Sequence, residues 1–175
     1  IEVFKNPKHP QRLAIEECPK DCVLIFDSRK DPRAASAGSI LITRLMVRGC
    51  AGVVTDGGFR DSDEIKTLKF PAYHNRPSSP TNLTLHQAID VNIPIGCGDA
   101  AVWPNDLIVG DNEGVVVIPN EIIEEISDEV NSMTIYEDYV IDKVQKGSTI
   151  KGLYPLTDES EKKAFENWLR TKNTD

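Results

Sequence analysis

The chain has 175 residues, and its 28 acidic and 20 basic side chains give a formal net charge of −8. This acidity excludes a general electrostatic attraction to nucleic-acid backbones. The 39% hydrophobic and 27% charged residues are typical of a globular domain, and no apolar run is long enough to predict a transmembrane helix. We therefore expect a cytoplasmic protein that binds neither nucleic acid nor a membrane.

The first part of the chain predicts a strand, a helix and a second strand. The apolar runs at residues 22–27 and 52–56 each have the length of a buried strand. Between them, Asp31 and Pro32 predict the start of a helix that continues to about Arg48, because Asp is a good N-cap and Pro fits the first helical turn. Such a unit places the two strands parallel in one sheet.

The remaining segments predict small β-elements followed by helices. A short helix is expected at residues 62–68, and a hairpin is expected from the apolar runs at 107–111 and 114–118. A long helix follows Pro119 and ends at Gly147. A final helix begins with a capping box at residues 158–161.

The four cysteines and three histidines show no spacing typical of metal ligands. Cys18 and Cys22 are close in sequence, but no second pair with zinc-ligand spacing follows them. We therefore expect Cys50 and Cys97, like the first two, to be reduced thiols, as is usual in cytoplasmic proteins.

The segment from Asp56 to Asp61 is the strongest candidate for chemistry. It follows a buried strand, where α/β proteins place ligand sites. Arg60 can hold a carboxylate through two parallel hydrogen bonds, and Asp61 offers the hard oxygen ligands that Mg²⁺ or Mn²⁺ prefers. The same spacing also fits a tight turn with a surface arginine paired with an acid.

A second candidate lies at Gly38 and Ser39, inside the first predicted helix. A glycine in mid-helix costs about 1 kcal/mol relative to alanine, so its presence needs a reason. If the helix begins nearer Ser39, its free N–H groups form an anion site. The alternative is that Gly38 allows close packing on the sheet.

Together these motifs resemble the RraA-like family over roughly residues 13–147. That family includes class II, metal-dependent 4-hydroxy-4-methyl-2-oxoglutarate aldolases and regulators of ribonuclease E activity. The motifs are Gly38-x-x-Leu41, Gly49-x-x-Gly52-Val-Val-x-Asp56-Gly-x-x-Arg60-Asp61, and Val109-Gly-Asp111-x-x-Gly114-Val-Val-Val-Ile-Pro119.

The resemblance implies an α/β fold, a swivelling β/β/α domain with C-terminal helices, assembled as a homotrimer or homohexamer. It implies this domain over residues 1–150 and a linker and helix extension over residues 151–175. Family members usually carry a further N-terminal segment, so we expect the chain, which begins at Ile1, to be processed or to be a fragment.

The resemblance also implies a site. Arg60 and Asp61 would be the catalytic residues, with Arg60 holding the substrate's carboxylate or keto oxygen and Asp61 binding Mg²⁺ or another divalent metal such as Mn²⁺. The backbone amides of the preceding motif would bind the pyruvyl end of the substrate; they belong to Gly38, Ser39, Ile40 and Leu41.

The implied function is a metal-dependent aldolase that cleaves a small 4-hydroxy-2-oxo acid to pyruvate through an enolate, with oxaloacetate decarboxylation as a side activity. Two alternatives stay open: a non-catalytic regulator that binds a protein, as the ribonuclease E inhibitors do, and a metal-dependent lyase acting on another 2-oxo acid or a sugar acid. Ser39 stands where the aldolases often have a different polar or acidic residue, which leaves the substrate open.

Overall fold

The computed structural model describes residues 5–172 of the chain. Two compact units are present, Ile1–Asn120 and Glu121–Asp175. This division falls earlier than the boundary between residues 150 and 151 expected from the sequence. The reason is that the long helix, expected to close the first domain, packs against the last helix through a shared apolar cluster.

Short strands alternate with helices in the first unit. The helices are α1 (Pro10–Glu17), α2 (Ser39–Val47) and α3 (Ser62–Thr67). The strands are β1 (Val23–Phe26), β2 (Ala35–Ala37), β3 (Gly52–Thr55), β4 (Gly58–Phe59), β5 (Ala72–Tyr73), β6 (Arg76–Pro77), β7 (Ile95–Cys97), β8 (Ala100–Val102), β9 (Leu107–Gly110) and β10 (Val115–Ile118). 3₁₀ turns lie at Asn82–Thr84 and Asn120–Ile122, and the second unit holds α4 (Ile123–Gln145) and α5 (Glu159–Lys172).

Two parallel three-stranded sheets organise the first unit. One has the order β1-β3-β5 and the other β2-β4-β6. Each strand of the first sheet is followed along the chain by a strand of the second, and α2 and α3 come after the first two such pairs. This β/β/α arrangement confirms the expected fold class, and the predicted strands at residues 22–27 and 52–56 pair in parallel.

The predicted helix start at Asp31 and Pro32 is wrong. Residues 34–37 are buried, β2 (Ala35–Ala37) pairs in parallel with β4, and α2 begins only at Ser39 with Gly38 as its N-cap. The Asp31 carboxylate accepts hydrogen bonds from the backbone and guanidinium of Arg33 instead of capping a helix. These bonds hold the pKa of Asp31 well below its usual range.

The first unit's main core lies where α2 packs against the strands. Ile42 and Leu45 of α2, Val53 of β3 and Phe59 of β4 are each 0% exposed. Burying a side chain of this size contributes about 1.5–3 kcal/mol relative to leaving it in water. This packing fixes the position of the helix whose first turn borders the candidate site.

The β9–β10 hairpin confirms the sequence prediction, and β7 and β8 form a second antiparallel hairpin that the sequence did not predict. β9 and β10 pair from Leu107 with Ile118 to Gly110 with Val115, and β7 pairs with β8. The turn between β9 and β10 is closed by Asp111, whose carboxylate accepts the N–H groups of residues 113 and 114.

An aromatic cluster holds the two helices of the second unit together. Tyr139 of α4 is 2% exposed and contacts the rings of Phe165 and Trp168 of α5. Half of the predicted capping box forms: the Asp158 carboxylate accepts the N–H of Glu161 at 3.4 Å, and also that of Ser160 at 2.7 Å. The Glu161 carboxylate accepts from the hydroxyl of Tyr139 at 3.0 Å, and burial raises the pKa of that hydroxyl to about 12.

No helix among residues 5–172 is long and apolar enough to cross a membrane.

Leu45→Ala should lower the free energy of unfolding by about 2–5 kcal/mol, because it leaves a cavity in the core of the first unit. Urea denaturation followed by circular dichroism measures the change. Val47→Ala is the matched control, since Val47 lies on the same helix and is 67% exposed. The control should change stability by no more than about 0.5 kcal/mol. Equal losses in both variants would contradict the assigned packing of α2.

Candidate active site

The candidate site forms where the first turn of α2 meets the segment between β4 and α3. The Arg60 N–H donates to the carbonyl of Ala37 at 3.1 Å, which holds the two segments side by side. The bonding inside α2 starts with the N–H of Leu41, which donates to the carbonyl of Gly38 at 3.1 Å. The amides of Ser39 and Ile40 therefore lie in the part of the first turn that has no partner inside the helix.

The Asp61 carboxylate binds the start of α2. Its Oδ2 accepts the N–H of Ser39 at 3.1 Å and the Ser39 hydroxyl at 3.3 Å. The positive end of the helix dipole favours a negative group at this position. Asp61 itself is the N-cap of α3, but its side chain makes no capping bond to that helix.

The backbone of Asp61 is left-handed, with φ 60° and ψ 36°. Few residues other than glycine adopt this conformation, and such residues concentrate at functional sites. Here the conformation directs the carboxylate toward α2 rather than toward α3.

Gly38 makes room for both side chains. A Cβ at this position would lie 2.6 Å from Asp61 Oδ2, 2.8 Å from Arg60 Nε and 2.9 Å from Arg60 Cγ. The glycine is therefore needed for the close approach of Arg60 and Asp61, which answers one of the questions left open by the sequence.

The pair itself contributes little to folding. Arg60 Nε lies 3.5 Å from Asp61 Oδ2, and the two side chains are 47% and 37% exposed. Ion pairs with this much exposure contribute about 0–1 kcal/mol. Among residues 5–172, no hydrogen bond is recorded to Asp61 Oδ1 or to the terminal guanidinium nitrogens of Arg60, so both have capacity for a ligand.

The residues fit a metal held by a single carboxylate. Within the described part of the chain, no three His, Cys, Asp or Glu side chains cluster as ligands. Mg²⁺ commonly keeps several waters and binds proteins through one or two carboxylates. Asp61 matches this requirement, because Oδ2 is fixed by Ser39 while Oδ1 is open.

A cavity of about 360 Å³ adjoins Ser39 between α2 and α3. Its lining residues are Ser39, Ile40, Thr43, Glu64, Thr67 and Leu68. The sequence reasoning missed Thr43, Glu64 and Thr67. Helical periodicity could have indicated them, because residues three or four apart share a helix face. Thr43 lies about one turn after Ser39, and Glu64 lies three residues after Asp61.

Asp56 does not join this site, although it belongs to the same motif as Asp61. Its side chain is buried, and its carboxylate accepts the N–H groups of Ser28 at 2.7 Å, Lys30 at 2.9 Å and Gly98 at 3.2 Å. Asp56 therefore holds two loops in place.

A larger cavity of about 780 Å³ lies beside the carboxyl ends of β3 and β5. Several of its polar groups already have partners: Asp56 binds backbone amides, Asp111 closes the β9–β10 turn, and His74 Nδ1 accepts the N–H of Phe59 at 3.3 Å. The open polar groups converge instead at the first turn of α2.

The cysteines lie outside the candidate site, and all four are free thiols. Cys18 and Cys50 are buried next to each other, and burial together with the neighbouring thiol raises the pKa of Cys18 to about 12.

The fold is that of an α/β protein, and its candidate site lies at the N-terminus of α2. The family model described as Aldolase/RraA matches residues 1–117, and the chain belongs to this RraA-like family.

Two curated relatives show the range of names in the family. The chain is 36% identical over 104 residues to "Putative 4-hydroxy-4-methyl-2-oxoglutarate aldolase" of Halalkalibacterium halodurans, a match that covers 59% of this chain and 49% of the relative. It is 31% identical over 121 residues to the uncharacterized protein MJ0644 of Methanocaldococcus jannaschii, covering 68% of this chain and 57% of the relative. The chain thus spans about half the length of these relatives.

Two solved structures support the fold. An uncharacterized protein from Pseudomonas syringae superposes with a TM-score of 0.76 at 23% identity, covering 80% of this chain and 70% of the other. Streptomyces coelicolor RraAS2 is described as an unusual member of the RNase ES inhibitor RraA protein family. It superposes with a TM-score of 0.66 at 24% identity, covering 71% of this chain and 64% of the other. These likenesses confirm the swivelling β/β/α architecture.

Gly38→Ala should weaken the binding of a 2-oxo acid such as pyruvate by at least about tenfold, because the added methyl displaces Arg60 and Asp61. Isothermal titration calorimetry in the presence of Mg²⁺ measures the affinity. The circular dichroism spectrum should stay unchanged, since both side chains can move into solvent. Gly96→Ala is the control, because a Cβ there meets no atom within 4 Å. Unchanged pyruvate affinity in Gly38→Ala would contradict the assigned site.

Proposed function

We propose that the protein is a divalent-metal-dependent aldolase that cleaves a 4-hydroxy-2-oxo acid to pyruvate. The observation that carries this proposal is the convergence of the first turn of α2, Arg60 and the Asp61 carboxylate beside one cavity. The aldolase name given to relatives at about 30% identity supports the same reaction class.

The reaction breaks the bond between C3 and C4 of the substrate. The 4-hydroxyl loses its proton, C4 becomes a carbonyl carbon, and the bonding electrons pass to C3 and the keto oxygen. Protonation at C3 then gives pyruvate. The difficult species is the enolate, whose negative charge must be stabilised while water is kept away.

The chain offers two groups for that charge. The Arg60 guanidinium would donate to the carboxylate or keto oxygen of the substrate. A positive charge that is already in position stabilises the enolate more than one that must first reorient. The first turn of α2 would bind the carboxylate end through the Ile40 amide, because the Ser39 amide already donates to Asp61.

Asp61 would hold the divalent metal, Mg²⁺ or Mn²⁺, through its open Oδ1. When bound, such an ion acts as a Lewis acid toward a 2-oxo acid. Ser39 keeps the carboxylate in place by binding Oδ2, and the adjacent Arg60 limits its motion further.

The same site would also decarboxylate oxaloacetate slowly. Loss of CO₂ from C4 leaves its electrons on the same pyruvate enolate, so no additional group is required. This makes oxaloacetate a useful side substrate for detecting the site.

Assembly as a homotrimer or homohexamer is part of the proposal. The Arg60 and Asp61 side chains are 47% and 37% exposed, so a second copy could cover them and exclude water. The group that removes the 4-hydroxyl proton would come from that copy.

A binding protein is the second candidate function. The net charge of −8 and the structural likeness to RraAS2, described as belonging to an RNase inhibitor family, favour it. A site in which Gly38 makes room for Arg60 and Asp61 favours the enzyme, because a protein-binding surface has no need of this arrangement.

Asp61→Asn should lower kcat/KM for pyruvate release by at least about 100-fold, because the amide is a poor ligand for Mg²⁺. Pyruvate formation from 4-hydroxy-2-oxo acids and oxaloacetate is followed by coupling to NADH oxidation. EDTA should abolish turnover, and added Mg²⁺ should restore it. Asp63→Asn is the control, since Asp63 has a fully exposed carboxylate two residues away. Its activity should stay within about twofold of the unmodified protein.

If the folded oligomer releases no pyruvate from these substrates or from a 3-deoxy-2-oxo sugar acid, the aldolase proposal is wrong. The binding function would then be favoured.

A further inference from the structure

We propose that the cavity beside Ser39 selects 2-oxo acids whose distal end is uncharged and carries hydroxyl groups, and rejects those that end in a second carboxylate. This inference rests on the proposed function, because the 2-oxo acid end must first be held at the start of α2. The cavity would thereby narrow the class of substrates that the family resemblance leaves open.

The cavity continues directly from the candidate site. Ser39 belongs to both, since its N–H and hydroxyl bind Asp61 and the residue also lines the cavity. A ligand whose carboxylate lies at the first turn of α2 therefore places its distal end between α2 and α3. The volume of about 360 Å³ lies at the small end of the range for ligand pockets and suits a short acid.

The only charged side chain that lines this cavity among the described residues is Glu64, and no Lys or Arg lines it. Glu64 takes part in none of the ion pairs recorded for residues 5–172, whereas its neighbour Asp63 lies 3.5 Å from Lys66. The nearest cation of the site, Arg60, lies beside Asp61 and is assigned to the 2-oxo acid end. A distal carboxylate would therefore meet an uncompensated like charge.

The hydrogen-bonding groups of the cavity are mainly acceptors. The Glu64 carboxylate can only accept, the Thr67 hydroxyl already donates to the carbonyl of Glu64 at 2.7 Å, and the Ser39 hydroxyl donates to Asp61. A ligand hydroxyl can donate to such groups, but a carboxylate has no hydrogen to donate. Ile40 and Leu68 supply apolar contact for the carbon chain.

The spacing on α3 directs these groups to one side. Glu64 and Thr67 are three residues apart, so they lie next to each other on the helix surface. Thr43 lies opposite on α2 and adds a further hydroxyl to the lining. The distal end of the ligand would thus be surrounded by hydroxyls and one carboxylate.

The first test compares two ligands of equal length, 2-oxopentanoate and 2-oxoglutarate, by isothermal titration calorimetry with Mg²⁺. They differ in the distal carboxylate alone. We expect 2-oxopentanoate to bind about threefold to tenfold more tightly, because the exposed Glu64 carboxylate repels a nearby carboxylate through solvent that partly screens the charge. Glu64→Gln should bring the two affinities to within about twofold, and the control Asp63→Asn should leave the ratio unchanged.

The second test uses turnover. Pyruvate release from 4-hydroxy-2-oxopentanoate and from a 3-deoxy-2-oxo sugar acid should exceed that from 4-hydroxy-2-oxoglutarate by about threefold to tenfold in kcat/KM. Glu64→Gln should raise kcat/KM for 4-hydroxy-2-oxoglutarate and leave it nearly unchanged for 4-hydroxy-2-oxopentanoate.

The outcomes separate this inference from the proposed function. Equal or tighter binding of 2-oxoglutarate, or a ratio that Glu64→Gln does not change, would overturn the inference while leaving pyruvate release intact. Absence of both binding and turnover for all of these ligands would overturn the proposed function, and the inference with it.

Discussion

The hydrogen bond from the Ser39 amide to the Asp61 carboxylate is the contact on which the rest of the site depends. It joins residues 22 positions apart and uses the side chain that would otherwise cap α3. Because Oδ2 accepts two hydrogen bonds from Ser39 at the start of α2, the carboxylate is oriented by that residue. Because Gly38 has no Cβ, the Asp61 carboxylate can lie this close to α2. The left-handed backbone of Asp61 directs the side chain toward α2. The helix N-terminus, the acid and Arg60 therefore act as one unit.

The paired parallel sheets explain why these residues meet. In each repeat a strand of one sheet is followed by a strand of the other and then by a helix, so the start of α2 and the start of α3 lie at corresponding points of successive repeats. The pairing of β2 with β4 sets their separation, and the bond from Arg60 to Ala37 extends that pairing to the edge of the site. Small buried residues in β2 permit this close packing, which larger side chains would prevent.

Asp56 and Asp61 belong to one sequence motif but have different roles, because their surroundings differ. Asp56 is 9% exposed and receives three backbone N–H groups, so its charge is fully used in holding loops. Asp61, five residues later, is partly exposed and keeps one oxygen open. Glu64 differs from both, since it is exposed, lines a cavity and has no ion-pair partner among the described residues. The chemistry of each carboxyl group follows from its neighbours rather than from its place in the motif.

The sequence by itself determined the local elements and the residue types of the site. Apolar runs predicted β1, β3 and the β9–β10 hairpin, because strand periodicity and turn chemistry are local properties. The motifs around Gly38 and Arg60 indicated the candidate site residues. Only the tertiary structure decided that α2 begins at Ser39, since that depends on β2 pairing with β4 and on Arg33 binding the Asp31 carboxylate. It also decided that α4 packs with α5 rather than closing the first domain. The separation of Asp56 from Asp61 and the presence of Glu64 in the cavity depend on contacts between distant segments, which no local pattern encodes.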